Sequence, residues 1–107
     1  MSDETTSDEI TPEAVDAELE GTAFALLGDV VLGSFSTGDF AGAVRLLDAV
    51  APVADELDHH PEVRLGWGRV EFELSSHDVD TVTRRDVRLA LRIQAVADEL
   101  GFAAEGE

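Results

Sequence analysis

Apolar positions recur along this chain with two periods, near 3.6 residues in some stretches and near 2 in the segments between them. Met1 to Ile10 is polar and acidic, with too little apolar content to pack, and reads as a solvated, disordered tail. Thr11 before Pro12 has the form of an N-cap and first helical position, predicting a short helix to about Glu20 that Gly21 stops. "TAFALLGDVVLGSFST", Thr22 to Thr37, holds two apolar, partly β-branched runs hinged at Gly28-Asp29 and predicts a hairpin. Asp39 then stands where a cap for a long helix is needed. Phe40, Ala43, Val44, Leu47, Val50, Ala51, Ala54 and Leu57 recur at helical spacing as its expected buried stripe. Pro52 lacks an N–H to donate, so a kink is expected there, with the helix ending near Asp58.

From Glu62 to His77 the alternation is strand-like but changes phase. Val63, Leu65 and Trp67 share one parity, and Val70, Phe72 and Leu74 share the other. Gly66 and Gly68 flank the switch, which suits a bulge or a tight turn between two strands. Thr83 opens a last helix whose core face is Val87, Ala90, Leu91, Ile93, Val96, Ala97 and Leu100, and Gly101 ends it. Phe35, Phe40 and Phe72 are expected in the core. The order helix, two strands, helix, two strands, helix predicts an α+β fold in two layers. A four-stranded, mainly antiparallel sheet would carry the helices on one face, leaving its other face and its edges open to self-association. A length of 107 residues suits one compact domain, expected over residues 11–103.

Charge narrows the function. The chain has 24 Asp plus Glu against 7 basic residues, a net charge of −17, and every basic residue is Arg. Such a surface repels phosphate backbones and anionic lipid, so no nucleic acid and no membrane are expected as partners. No apolar run approaches the roughly 18 residues that span a bilayer, and the acidic start lacks the apolar stretch of a signal peptide. The absence of lysine beside abundant acid suggests a salt-rich, halophilic cytoplasm, where screening removes self-repulsion. With no cysteine, disulfides and thiolate metal sites are excluded, which fits a reducing cytoplasm.

The candidate chemistry lies between "LDHHPEV" and the start of the last helix. Asp55, His59, His60, Pro61, Trp67, His77 and Asp86 are spaced as D-x3-H-H-P-x5-W-x9-H-x8-D. This spacing resembles the signature of the pterin-4a-carbinolamine dehydratases, also known in animals as the dimerisation cofactor of a homeodomain transcription factor. "SFSTGDFAGAV" and "LALRIQAVADEL" resemble the family's strand leading into an Asp-Phe helix start and its closing helix. The likeness runs from Gly21 to about Leu100. It implies a ββαββα unit with an extra N-terminal helix, assembled as a homodimer or homotetramer. It also implies loss of water from a 4a-hydroxytetrahydropterin to give a quinonoid dihydropterin, with no metal and no organic cofactor.

By the same resemblance, His59, His60 and His77 are the acid–base groups and Asp55 and Asp86 the supporting carboxylates. Asp58, Pro61, Trp67 and Ser76 would border the substrate. The residue types suit the reaction: a poor hydroxyl leaving group must gain a proton while a ring N–H loses one, and imidazole can do either near neutrality. Pro61 restricts His60 to an extended conformation, and a carboxylate such as Asp86 or Asp55 can orient a ring. His60 is the preferred acid–base group, with His59 and His77 binding and polarising the pterin. The alternative function is a non-catalytic oligomerisation or assembly module that keeps this fold.

Plainer readings compete at each position. His59-His60 could be a pair at a helix C-terminus, meeting the helix dipole. His77-Asp78 could be a simple turn. Thr83-Arg84-Arg85-Asp86 has the shape of a capping box, Asp55 is by default a solvated carboxylate, and Trp67 suits the core or a pocket wall. Three imidazoles also suit zinc, but neither H-x-H nor H-E-x-x-H is present. Two departures from the family stand out. Gly21-Thr22 replaces a Gly-Trp whose indole lines the pterin pocket, and Thr81-Val82-Thr83 replaces a Gly-Leu-Thr.

Overall fold

Caps and turns set most element boundaries close to where the pattern puts them. A computed structural model describes residues 9–105. Its elements are α1 (Pro12–Leu19), β1 (Phe24–Leu27), β2 (Val30–Ser36), α2 (Phe40–Leu57), β3 (Glu62–Gly66), β4 (Arg69–Leu74), α3 (Arg84–Leu100) and β5 (Ala103–Ala104). The Thr11 side chain accepts from Ala14 N at 3.1 Å, and Asp39 Oδ1 accepts from Gly42 N at 2.7 Å, so both predicted N-caps form. Gly28 takes φ 61° in the two-residue turn between β1 and β2. Of the predicted acidic tail, Met1 to Asp8 lie outside the described residues, whereas Ile10 packs partly buried against the core.

The sheet is antiparallel in the order β1-β2-β4-β3, as the α+β expectation requires. Phe24, Phe35 and Phe72 meet on its covered face, with ring centroids 5.8 to 6.5 Å apart. Gly33 faces Phe24 across the β1–β2 pair, and a Cβ there would fall 2.4 Å from that ring, so the aromatic cluster requires the glycine. The phase change between Val63 and Val70 is a tight turn at Trp67-Gly68, with Gly68 at φ 77°.

A short fifth strand adds to the expected four. After Gly101 turns the chain at φ 81°, Ala103 and Ala104 pair with Ser36 and Phe35 on the edge of β2 beyond β1. Glu105 holds this strand down: its N–H donates to Ser34 O at 2.9 Å and its carboxylate takes Arg69 Nε at 3.0 Å. The α2 stripe needs correction. Ala43, Leu46, Val50, Val53 and Ala54 are buried, Leu47 and Leu57 are half-buried, and Ala51 is exposed. Phe40 at 52 % and Val44 at 39 % exposure leave the expected core. The apolar arc of α2 is wider than the strip covered by the sheet and α3, and its outer edge faces away. On α3, Leu91 and Leu100 are likewise exposed, while Leu89 is buried. Helix α2 continues through Pro52, which is exposed, and ends at Leu57.

Candidate active site

The direction in which His59 and His60 leave α2 is fixed by how the helix ends. Asp58 adopts the left-handed conformation, φ 52° and ψ 42°. Its N–H donates to Asp55 O at 3.2 Å, and the His59 N–H reaches back to Ala54 O at 3.1 Å. This is the Schellman closure usually made with glycine, and it reverses the chain immediately before the histidines. Pro61 then leads into β3, where Glu62 pairs with Glu73 of β4. Continuing that register outward brings His59 level with Ser76, the residue before His77.

Asp86 links the two segments. It is fully buried in the first turn of α3, and the expected capping box is real: Asp86 Oδ2 accepts the Thr83 N–H at 2.9 Å. The same oxygen accepts the Ser76 hydroxyl at 2.8 Å, and Oδ1 meets His59 Nε2 at 2.6 Å. Capping and support of a histidine thus coexist in one carboxylate. His59 Nε2 and Asp86 Oδ1 share one proton in this bond, and the ring's Nδ1 lies outside it. With its own proton committed to Asp86, Ser76 Oγ accepts the Thr83 hydroxyl at 2.8 Å. Every member of this buried network has a partner, as polar groups so far from water require.

The other predicted residues divide into near and far. His60 Nε2 meets Asp55 Oδ1 at 2.9 Å in the open, the aspartate belonging to the last turn of α2. His77 follows Ser76 on the exposed β4–α3 connection. Asp78 accepts Arg85 Nη2 at 2.9 and 3.1 Å, and this bond holds its carboxyl below the usual carboxylate range, with a smaller pull from His59. Nothing in the residue spacing signalled that ion pair, nor that the Thr83 hydroxyl would join the network. Asp58 is exposed and Pro61 half-buried beside the histidines.

Trp67 is not core: it is 76 % exposed at the tip of the β3–β4 turn. The whole of β3, about 17 Å at the usual rise per residue, separates it from Pro61. Thr22 lies about as far off, at the opposite end of the sheet in the register of β1 and β2. By this register neither lies at the end of the sheet that carries His59, His60 and Ser76. A groove of about 630 Å³ between α1, the β1–β2 turn and Thr81-Val82 is lined by none of the three histidines. Among the described residues, no three His, Cys, Asp or Glu side chains are grouped to hold a metal ion.

Comparison with known proteins places the chain in a family. The sequence profile described as "Pterin 4 alpha carbinolamine dehydratase" matches residues 8–96. A protein of Natronomonas pharaonis, provisionally named a pterin-4-alpha-carbinolamine dehydratase, is 33 % identical over 92 residues, covering 86 % of this chain and 99 % of the relative. The crystal structure of a transcriptional coactivator/pterin dehydratase from Brucella melitensis superposes with a TM-score of 0.76 at 27 % identity, covering 84 % of this chain and 99 % of that one. A pterin dehydratase-like protein identified as a RuBisCO assembly factor in the alpha-carboxysome shares the fold, with a TM-score of 0.59 at 21 % identity, over 75 % of this chain and 93 % of that one. The chain belongs to the pterin-4a-carbinolamine dehydratase family.

Proposed function

We propose that this protein dehydrates a 4a-hydroxytetrahydropterin to the quinonoid dihydropterin. The observation that carries the reading is the Asp86 hub, which ties the His59-His60 segment to the residue preceding His77. In the reaction the bond between C4a and its hydroxyl oxygen breaks and the oxygen leaves as water, taking a proton from an imidazolium. A ring N–H gives its proton to a base, and a C=N bond forms. His60 suits the proton-transfer role: it is open to solvent, so it can restore its protonation state between turnovers. His59, held by Asp86, and His77 bind and polarise the pterin, with Asp58 and Pro61 beside them and Asp55 orienting His60; Ser76, expected to border the substrate, is fully buried and serves instead to hold Asp86. No metal or organic cofactor enters these steps.

The assembly is proposed as a homodimer or homotetramer, for which exposed Phe40, Val44 and Trp67 supply apolar surface. Trp67 would then border a substrate only in a neighbouring subunit's site. Among the described residues no helix is long and apolar enough to cross a membrane. The cysteine-free, lysine-free sequence supports a salt-rich cytoplasm as the working location. A non-catalytic assembly role is favoured by one observation, Thr22 in place of the family's pocket tryptophan.

The deciding assay tracks loss of the carbinolamine by ultraviolet absorbance in molar KCl. Purified protein should accelerate it, and His60→Ala should lower the rate by about 10²-fold or more. No acceleration by wild-type protein across a KCl series in which it stays folded would hand the case to the assembly role. An unchanged rate in His60→Ala would remove His60 from the mechanism.

A further inference from the structure

We propose that Arg85 and Asp78 are positioning residues that set the orientation of His77. Ser76, His77 and Asp78 are consecutive, and the residues on either side of the histidine are fastened to one turn of α3. The Ser76 hydroxyl donates to Asp86 Oδ2 at 2.8 Å, and Arg85 Nη2 donates to both Asp78 oxygens at 2.9 and 3.1 Å. Arg85 and Asp86 are themselves consecutive in the first turn of that helix.

His77 has little else to hold it. It is exposed, and among the described residues its ring makes no hydrogen bond. The connection is closed behind it by Ser76 N donating to Thr81 O at 2.9 Å, and Asp80 beyond takes φ 56°. The backbone of His77 is therefore aimed by its two neighbours. Ser76 supplies one fixed point through the buried network, and the Asp78–Arg85 pair supplies the other. The Asp78 carboxylate also lies within electrostatic reach of His59, so the bracket closes toward the first histidine. An ion pair this exposed contributes little to folding, which separates its effect on geometry from any effect on stability.

For its catalytic consequence the inference rests on the dehydratase reading, so the test pairs kinetics with a signal independent of turnover. Arg85→Gln and Asp78→Asn are compared with wild type in the carbinolamine assay and by NMR of the histidine ring protons, both in molar KCl. Each variant should lower kcat about tenfold with KM nearly unchanged. The His77 signal should move in both variants, and by more than that of His59, which Asp86 anchors and which Asp78 reaches only electrostatically. Arg85→Lys should recover most of the rate, and Arg69→Gln, which breaks a distant ion pair, should match wild type. Variants that turn over at the wild-type rate with an unmoved His77 signal would overturn the bracket. A His77 signal that moves in protein whose wild type lacks dehydratase activity would uphold the bracket and remove the dehydratase reading.

Discussion

His59 meets Asp86 at 2.6 Å with 12 % and 0 % of the two side chains exposed, and His60 meets Asp55 at 2.9 Å with 57 % and 76 % exposed. The two pairs use the same functional groups on adjacent histidines, yet they do different work. The Asp86 carboxylate has lost its water and depends on His59, Ser76 and the Thr83 N–H to replace it. It therefore fixes where those three groups stand. The Asp55 carboxylate keeps its water, and in molar salt the Debye length shrinks to about 3 Å, so it can steer His60 but scarcely hold it. One ring is locked and its neighbour can exchange protons, a division that acid–base chemistry can use.

The sharpest way to break this comparison is to remove the two carboxylates in turn. Asp86→Ala strips partners from a buried serine and histidine and from a helix N-terminus. It should cost about 3 kcal/mol or more of stability, seen by denaturation in KCl, and abolish most activity. Asp58→Gly comes next in size. Relieving a left-handed aspartate at the α2 terminus should stabilise the protein by about 0.5–1 kcal/mol. If the dehydration rate nevertheless falls, the Asp58 side chain has a part in substrate binding. An unchanged rate limits it to ending the helix.

Asp55→Asn should change stability by less than about 0.5 kcal/mol, with a modest loss of rate that shrinks as KCl rises. Equal losses from Asp55→Asn and Asp86→Ala would erase the distinction between the pairs. The smallest effect concerns Glu56, whose carboxyl the Arg92 hydrogen bond holds below its ordinary value. A folded value below the unfolded one stabilises the protein at pH above the unfolded value. That contribution disappears as pH falls through the folded value. Thermal midpoints of wild type and Arg92→Gln should therefore converge toward acid pH, with wild type slightly higher at neutrality.

Much of the architecture is legible because it is written in local signals. Thr11, Asp39 and Thr83 cap helices, Gly28 and Gly68 turn hairpins, and alternation at Val70, Phe72 and Leu74 marks the covered face of the sheet. The outer stripe of α2 departs from expectation because periodicity reports that Phe40 and Val44 share a helix face, not what that face meets. Trp67 has the parity of β3, but the tight turn takes it out of the strand. Strand β5 has only two residues and no pattern of its own; Glu105 and Arg69 make it. In the site, the residue types and spacing are visible in the sequence, whereas the hub is not. The sequence reads Asp86 as a cap and as a ring-orienting carboxylate, but His59 and Asp86 are 27 positions apart, and only the fold shows that it does both at once, on His59, and binds Ser76 as well.

The measurement closest to the central claim is an NMR titration of the three histidine ring signals with a stable dihydropterin, in KCl at which the protein is folded. If His59, His60 and His77 face one substrate, all three signals shift along a single saturable binding curve. Signals that stay put, or that trace unrelated curves, would contradict a shared site.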